Sequence, residues 1–258
     1  MSAEEPSEPS EPLQRWKLTI EYDGGNYLGW QRQEHGPSIQ GELEAAMAKF
    51  VSGEAPDLYV CGRTDAGVHA LGQVAHVDLP PRYDAKAVRD ATNFHLGEAP
   101  IAVLTAEQVD DAFHARLSAK GRAYQYRILN RRAPPGLDVG RVWHLGAPLD
   151  VEAMVEAAKH LIGHHDFTSF RATHCQAKSP EKTLDRLDVS KRGEEIWIEA
   201  EARSFLHHQV RNMVGTLRDF GTGRFQPAEM KKILGAKDRS AAGQTAPSDG
   251  LYFVRAMY

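Results

Sequence analysis

The chain has 258 residues, of which 41% are hydrophobic and 26% are charged. This composition is typical of a folded protein with one large or two modest domains, and it excludes fibrous, collagen-like and wholly disordered chains. The formal net charge is −4, from 31 basic and 35 acidic side chains. A chain that holds nucleic acid by its overall charge alone is therefore excluded as well.

Acidic charge is concentrated at the start of the sequence. Residues 1–12 contain four glutamates, no basic residue and almost no apolar residue, so we expect this segment to be a disordered acidic tail. It lacks the basic start and apolar run of a signal peptide, and no apolar run approaches the roughly 20 residues that span a bilayer. We expect a cytoplasmic protein that does not enter a membrane.

The cysteines and histidines do not have the spacing of a metal site. Cys61 and Cys175 are far apart and lack a partner at zinc-finger spacing, and the pairs His164–His165 and His207–His208 are adjacent rather than three or four residues apart. The sequence thus predicts reduced thiols and no bound metal.

Hydrophobic periodicity predicts strands and helices that alternate irregularly along the chain. In the first half these are a strand from Trp16 to Tyr22, a helix opened by Pro37 and Ser38, strands over 58–61 and 72–79, a helix over 84–94 and a strand over 101–109. In the second half they are a strand over 117–129, a helix capped by Asp150, a hairpin with arms 184–190 and 195–202, helices over 205–220 and 227–234, and a strand from Leu251. Because no regular strand–helix–strand repeat is present, the pattern indicates an α+β fold with largely antiparallel sheet.

The loop at 62–67 places the carboxylate of Asp65 two residues from the guanidinium of Arg63, between two glycines. Such a loop can approach a ligand closely, and a lone carboxylate held ionised by a cation can act as a nucleophile. On the pattern alone, an ordinary turn in which polar side chains bond the turn amides is favoured. The nearest other carboxylates, Asp57 and Asp78, do not indicate a glycosidase-type pair.

A cationic partner for this carboxylate is available near the predicted helix over 205–220. One stripe of that helix carries His207, Arg211, Gly215 and Arg218, with His208 beside it. A glycine in a helix interior costs about 1 kcal/mol relative to alanine, which is easier to explain if another segment packs closely there. A solvated basic face accounts equally well for the charges.

Aromatic and basic residues are interleaved in the predicted strand over 117–129. Tyr124 and Tyr126 share one face, among Lys120, Arg122 and Arg127. Aromatic rings among bases can stack on an unpaired nucleotide. On the pattern alone, tyrosines that belong to the core are favoured, because strands are enriched in aromatics.

Six ordered motifs resemble one family, the tRNA pseudouridine synthases of the TruA type, from about Leu18 to the C-terminus. They are EYDGGNYLGWQRQ (21–33), CGRTDAGVHALGQVAHV (61–77), SAKGRAYQYRILN (118–130), GHHDFTSFRA (163–172), SFLHHQVRNMVG (204–215) and SDGLYF (248–253). The second and fifth are the most specific. Gly25 departs from the family, which usually has a hydroxyl residue there.

The resemblance implies a role for five residues. Asp65 would be the catalytic nucleophile and Arg211 its ion-pair partner. Arg63 would enter the space vacated by the flipped base, and Tyr124 would stack on the uracil and handle the proton at C5. Leu251 would line the pocket for the base.

The resemblance also implies the fold, the substrate and the assembly. Members have two α+β domains of related topology whose sheets join across a central cleft, which here would occupy 13–112 and 113–258. They isomerise uridine to pseudouridine in the anticodon stem-loop of tRNA, at positions 38–40, as homodimers without a cofactor. Phosphate contacts would then come from local basic residues; the candidates are Lys17, Arg32, Arg116, Arg122, Arg127, Arg131 and Arg132.

Two other classes of function fit parts of the sequence. The triplet Asp65–Ala66–Gly67 resembles that of aspartic proteases, whose chemistry needs a second aspartate that only a partner chain could supply here. A non-catalytic RNA-binding module is the other, and it predicts that substitution of Asp65 changes nothing.

Overall fold

The protein is described by a computed structural model that covers residues 12–51, 55–173 and 175–258. The predicted acidic tail, apart from Pro12, lies outside the described residues. No helix in the described part of the chain is both long enough and apolar enough to cross a membrane.

Ten strands and five α-helices form the described part of the chain. The strands are β1 (Gln14–Tyr22), β2 (Tyr59–Val60), β3 (His69–Leu79), β4 (Ile101–Gln108), β5 (Gly121–Leu129), β6 (Trp143–His144), β7 (Gly163–Asp166), β8 (Glu181–Arg192), β9 (Glu195–Ala202) and β10 (Leu251–Met257). The helices are α1 (Ile39–Val51), α2 (Ala85–Leu96), α3 (Val151–Lys159), α4 (Gln209–Gly221) and α5 (Met230–Ala236). Asp84 and Asp150 cap α2 and α3 with their carboxylates.

All ten strands belong to one sheet. Its main path runs β4-β1-β3-β10-β5-β9-β8-β7, with β2 paired to β3 and β6 paired to β5. The pairs β3–β10 and β5–β6 are parallel, and the other pairs are antiparallel. The predicted α+β fold with mostly antiparallel sheet is confirmed.

Two hydrophobic cores are built on the two halves of this sheet. The first packs α1 and α2 against β1, β3 and β4. The second packs α3 and α4 against β5, β8 and β9. Strand β10 joins them, because Phe253 belongs to the first core and Leu251 to the second. The division at residue 112 stays a prediction.

The helix predicted to start at Phe205 begins instead at Gln209. His208 has a φ of 60°, a left-handed conformation that an α-helix does not contain. The side chain of Gln209 accepts a hydrogen bond from the amide of Leu206 at 2.8 Å and so holds the turn that precedes the helix. His207 and His208 therefore lie before the helix and not on its surface stripe.

Candidate active site

The loop at 62–67 is positioned by the first motif of the chain. The amide of Trp30 donates a hydrogen bond to the carbonyl of Thr64 at 3.0 Å. Gly29 has a φ of +101°, and a Cβ added there would lie 2.6 Å from the same carbonyl oxygen. Only glycine combines this backbone conformation with so close an approach. The first motif thus packs directly against the backbone of the loop and holds it in position.

Buried side chains fix the loop further. The hydroxyls of Tyr22 and Thr64 are hydrogen-bonded at 2.7 Å, and the amide group of Gln73 donates to the carbonyl of Gly62 at 2.8 Å. Because Tyr22, Thr64 and Gln73 are buried, these bonds are protected from water. They hold the backbone beside Asp65 in one conformation.

Three nitrogen groups surround the carboxylate of Asp65. His207 Nε2 lies 3.2 Å from Oδ1, and His208 Nε2 lies 3.2 Å from Oδ2. Arg211 Nη1 lies 3.5 Å from Oδ2. The Asp65 side chain is 30% exposed, so a ligand can reach it.

The surroundings of Asp65 keep it ionised. Burial acts to raise the pKa of this carboxyl, but the hydrogen bond from His208 and the charges of His208, His207 and Arg211 outweigh it, and the pKa is lowered from its ordinary value. An anionic oxygen is thus available at neutral pH.

The left-handed backbone at His208 allows two consecutive side chains to reach one carboxylate. The rings of His207 and His208 are 4.0 Å apart and each contacts a different oxygen of Asp65. A non-glycine residue in this conformation costs about 1–2 kcal/mol. Strained residues of this kind cluster at functional sites.

Arg211 is oriented by a segment that crosses α4. Its Nε donates to the carbonyl of Ala246 at 2.8 Å, and the amide of Ala246 donates back to the carbonyl of Arg211 at 3.1 Å. A Cβ added to Gly215 would overlap the carbonyl oxygen of Gln244. The helix glycine thus lets this segment pack against α4 and fix Arg211, which is the close packing that the sequence predicted.

Tyr124 and Leu251 form an apolar wall of the same site. The ring of Tyr124 meets Phe205 and Phe253 edge-on, each at 5.2 Å between centroids. Burial raises the pKa of the Tyr124 phenol, which is therefore neutral at pH 7. Tyr126, by contrast, is fully buried in the second core, so the two tyrosines of β5 differ in their access to ligand.

These side chains line one cleft of about 950 Å³. Asp65, Tyr124, Arg211 and Leu251 all contribute to its walls, as does the exposed Arg63. All five residues assigned a role in catalysis or base binding therefore lie together. The cleft is at the upper end of the range for small-ligand pockets, so it has room for more than one base.

The seven candidate RNA contacts separate into two groups. Arg116 and Arg122 line the cleft. The other five are not among its lining residues: Lys17 contacts Glu107, Arg32 contacts Glu44, Arg127 contacts Glu195, Arg131 contacts Glu194, and Arg132 is exposed.

The sequence placed His207 and His208 among the possible partners of Asp65, and the structure adds that each contacts one oxygen of the carboxylate. The carboxylate and the imidazoles of His207 and His208 have potential ligand atoms within 4.8 Å of one another and could hold a metal ion. The spacing of the histidines did not indicate a metal site, because they are adjacent in sequence and the third possible ligand, Asp65, is 142 residues away from His207. The guanidinium of Arg211 disfavours a further cation at this place.

Comparison with known proteins identifies the family. A family model described as tRNA pseudouridine synthase matches residues 157–258. The chain is 58% identical over 246 residues to the tRNA pseudouridine synthase A of Paramagnetospirillum magneticum, covering 95% of this chain and 96% of the relative. It is 58% identical to that of Rhodospirillum centenum and 55% identical to that of Wolbachia pipientis, in each case over 95% of this chain and 100% of the relative.

Among solved structures, one chain of a Cbf5–Nop10–Gar1 complex is similar at 14% sequence identity and a TM-score of 0.36. The alignment covers 92% of this protein and 48% of that chain. The sequence relatives match along nearly the whole length of both chains. The resemblance found in the motifs is confirmed, and the protein belongs to the tRNA pseudouridine synthase A family.

Proposed function

We propose that this protein isomerises uridine to pseudouridine in the anticodon stem-loop of tRNA, at positions 38–40, with the carboxylate of Asp65 as the nucleophile. The observation that carries the proposal is the ionised Asp65 carboxylate, which three nitrogen groups hold within 3.5 Å on the wall of a cleft. Family membership supports the substrate and the reaction.

The reaction moves uracil from one attachment to another. The bond between N1 and C1′ breaks, the base turns, and a bond between C5 and C1′ forms, while C5 loses a proton and N1 gains one. Asp65 supplies the nucleophile, at C6 of the ring or C1′ of the sugar. The detached base must stay confined, and the walls at Tyr124 and Leu251 serve that need.

Tyr124 stacks on the uracil and takes part in the proton transfer at C5. Its neutral phenol lines the cleft. It can relay the proton that C5 loses, because its oxygen can accept that proton while its own hydroxyl proton passes to N1 or to water. Edge-on contacts with Phe205 and Phe253 fix the ring plane, so the base meets a surface that is already oriented.

Arg63 occupies the space that the extruded nucleotide leaves. Extrusion of a base costs a few kcal/mol, and an exposed guanidinium beside the nucleophile can offset part of this cost. Arg116 and Arg122 are the phosphate contacts that we place in the cleft. The remaining candidates Lys17, Arg32, Arg127, Arg131 and Arg132 would meet RNA only outside it.

The chemistry needs no cofactor and no metal, because the isomerisation involves no net oxidation or reduction and the uracil that leaves C1′ needs no metal to assist its departure. We also propose that the enzyme acts in the cytoplasm, as a homodimer. Free thiols at Cys61 and Cys175 fit a reducing compartment. The dimer rests on family resemblance, and light scattering of the purified chain measures it.

Incubation of the protein with an unmodified tRNA transcript, followed by chemical mapping of pseudouridine, tests the proposed function. We expect pseudouridine at one or more of positions 38–40. A transcript that remains unmodified, although the protein binds it, would favour the RNA-binding module. The protease alternative is disfavoured because nitrogen groups lie against both oxygens of Asp65 and keep it ionised, whereas a protease dyad shares one proton between two carboxyl groups.

A further inference from the structure

Away from Asp65, the same cleft is lined by an exposed tyrosine that the proposed reaction does not use. Tyr59 lines the cleft and has 49% of its surface exposed. It lies in β2 opposite His76 of β3. The loop that carries Asp65 is hydrogen-bonded to Tyr22, which pairs with Ala70 near the start of β3. His76 lies six residues further along the strand, which is roughly 20 Å at about 3.3 Å per residue. A uridine held at Asp65 therefore leaves Tyr59 free for a different nucleotide.

The ring of Tyr59 stacks on a buried imidazole. Its centroid lies 5.0 Å from that of the buried His76, and the planes differ by 18°. Burial, followed by the nearby charges of Arg15 and His114, lowers the pKa of His76 to about 4, so the imidazole beneath is uncharged at neutral pH. Tyr59 is thus a fixed aromatic platform with exposed surface.

Two polar groups without partners lie beside this platform. His114, 5.9 Å from Tyr59 between centroids, accepts the amides of Arg116 and Leu117 at Nδ1, which leaves the proton of the neutral ring on Nε2. Neither this Nε2 nor the exposed guanidinium of Arg116 bonds to another residue within the described ranges. Both can donate to a ligand.

The segment that carries these groups is held in place before any ligand arrives. Arg122 donates to the carbonyl of Arg116 at 3.0 Å, and Tyr258 donates to that of Ala115 at 2.7 Å. The amide of Ala115 in turn donates to His76 at 3.2 Å. Because these bonds fix both the platform and its neighbours, little ordering entropy would be lost on binding.

We propose that Tyr59, His114 and Arg116 form a second nucleotide site in the cleft. It stacks an unpaired base of the tRNA other than the target uridine on Tyr59 and binds its phosphate through Arg116. An aromatic ring with a neighbouring guanidinium is the combination that binds single-stranded RNA without strict sequence preference. The site rests on the proposed function and adds to it a reason why an anticodon loop, with its unpaired bases, is the substrate.

Single-turnover pseudouridine formation, measured against enzyme concentration, tests the site. Stacking on an aromatic ring is worth about 1–3 kcal/mol per base, so Tyr59→Ala should raise the half-saturating concentration roughly 5- to 150-fold. It should change the maximal rate far less. Tyr59→Phe keeps the ring and should restore binding. Phe94→Ala, which removes an aromatic that is 79% exposed on α2 and does not line the cleft, is the matched control.

Two further measurements test the site without relying on Tyr59→Ala, in case that variant is destabilised. Arg116→Gln should reduce the slope of log affinity against log salt by roughly 0.7 to 0.9, as loss of one phosphate contact does. The second measurement places the fluorescent base 2-aminopurine in turn at each unpaired position of the anticodon loop. With wild-type enzyme, its fluorescence should report stacking at a position that is not modified. Tyr59→Ala should abolish that change in fluorescence.

Wild-type half-saturation in folded Tyr59→Ala, an unchanged salt slope in Arg116→Gln, or no stacking signal at any unmodified position would overturn the second site. These outcomes are distinct from failure of the proposed function. If the proposed function is wrong, the wild-type protein itself forms no pseudouridine.

Discussion

His207 Nε2 lies 3.2 Å from Asp65 Oδ1, although 142 residues separate the two along the chain. The contact joins the loop before β3, in the first half of the sheet, to the turn before α4, in the second. The candidate nucleophile and the nitrogen groups that contact it thus come from opposite halves of the fold. Catalysis by Asp65 therefore requires the two halves to remain docked.

Replacement of Arg211 tests the ion pair with Asp65. Arg211→Ala removes both the guanidinium at 3.5 Å from the carboxylate and the bond to Ala246, so we expect the single-turnover rate to fall at least tenfold, roughly the loss of one charged hydrogen bond. Arg211→Lys should recover part of the rate. Arg255→Ala, which removes an exposed arginine paired with Glu201, serves as the control. A near wild-type rate in Arg211→Ala would contradict the pairing.

Replacement of His208 tests how the ionisation of Asp65 is controlled. Although burial opposes it, the hydrogen bond from His208 helps to lower the pKa of Asp65. His208→Asn removes this bond and the charge, and asparagine tolerates the left-handed backbone better than most residues. The pKa of Asp65 should rise, and the acid limb of the rate profile should move to higher pH.

The same shift has a consequence for stability. Because the folded-state pKa of Asp65 is lowered, its ionised form stabilises the fold above the unfolded pKa, and this contribution is lost as pH falls through the folded pKa. His208→Asn should therefore weaken the acid dependence of unfolding. The control is His35→Asn, which replaces an exposed histidine. If the acid limb of the rate profile and the acid dependence of unfolding are both unchanged in His208→Asn, this contact does not control the ionisation of Asp65.

A pair of glycine substitutions tests the packing that orients Arg211. A Cβ at Gly215 would overlap the carbonyl oxygen of Gln244, so Gly215→Ala should lower the free energy of unfolding by roughly 2 kcal/mol or more. Gly235→Ala in α5 has nothing within 4 Å of the added Cβ and should raise stability by up to about 1 kcal/mol. Urea unfolding measures both. Equal effects would refute the close-packing explanation.

Removal of metal ions tests whether the histidines and Asp65 act without a metal. Dialysis against a chelator should leave the single-turnover rate unchanged, because the two imidazoles and Arg211 already contact both oxygens of the carboxylate. Loss of activity that zinc restores would show instead that the three possible ligands hold a functional ion.

Local patterns in the sequence predicted many of the helices and strands. Alternation predicted β1 and β9 closely, the capping residue Asp150 predicted the start of α3, and α2 starts one residue after the predicted helix over 84–94. The short strands β6 and β7 were not predicted, because they have neither the alternation of β1 nor the apolar run that marks β2. The start of α4 was misplaced because the left-handed turn at His208 has no hydrophobic signature.

The candidate site was predictable only in part. Asp65, Arg211 and Tyr124 were singled out because charge and aromatic patterns mark them locally, and family motifs gave them roles. The contacts of His207 and His208 with Asp65 depend on chain segments far apart in sequence and on one backbone angle. No local pattern encodes such a contact.

The single-turnover rate of pseudouridine formation by Asp65→Asn tests the central claim most directly. The amide keeps the shape of the side chain and loses the nucleophile, so we predict no detectable pseudouridine in a tRNA that the variant still binds with affinity close to that of the wild type. Substantial pseudouridine formation by Asp65→Asn would contradict the account.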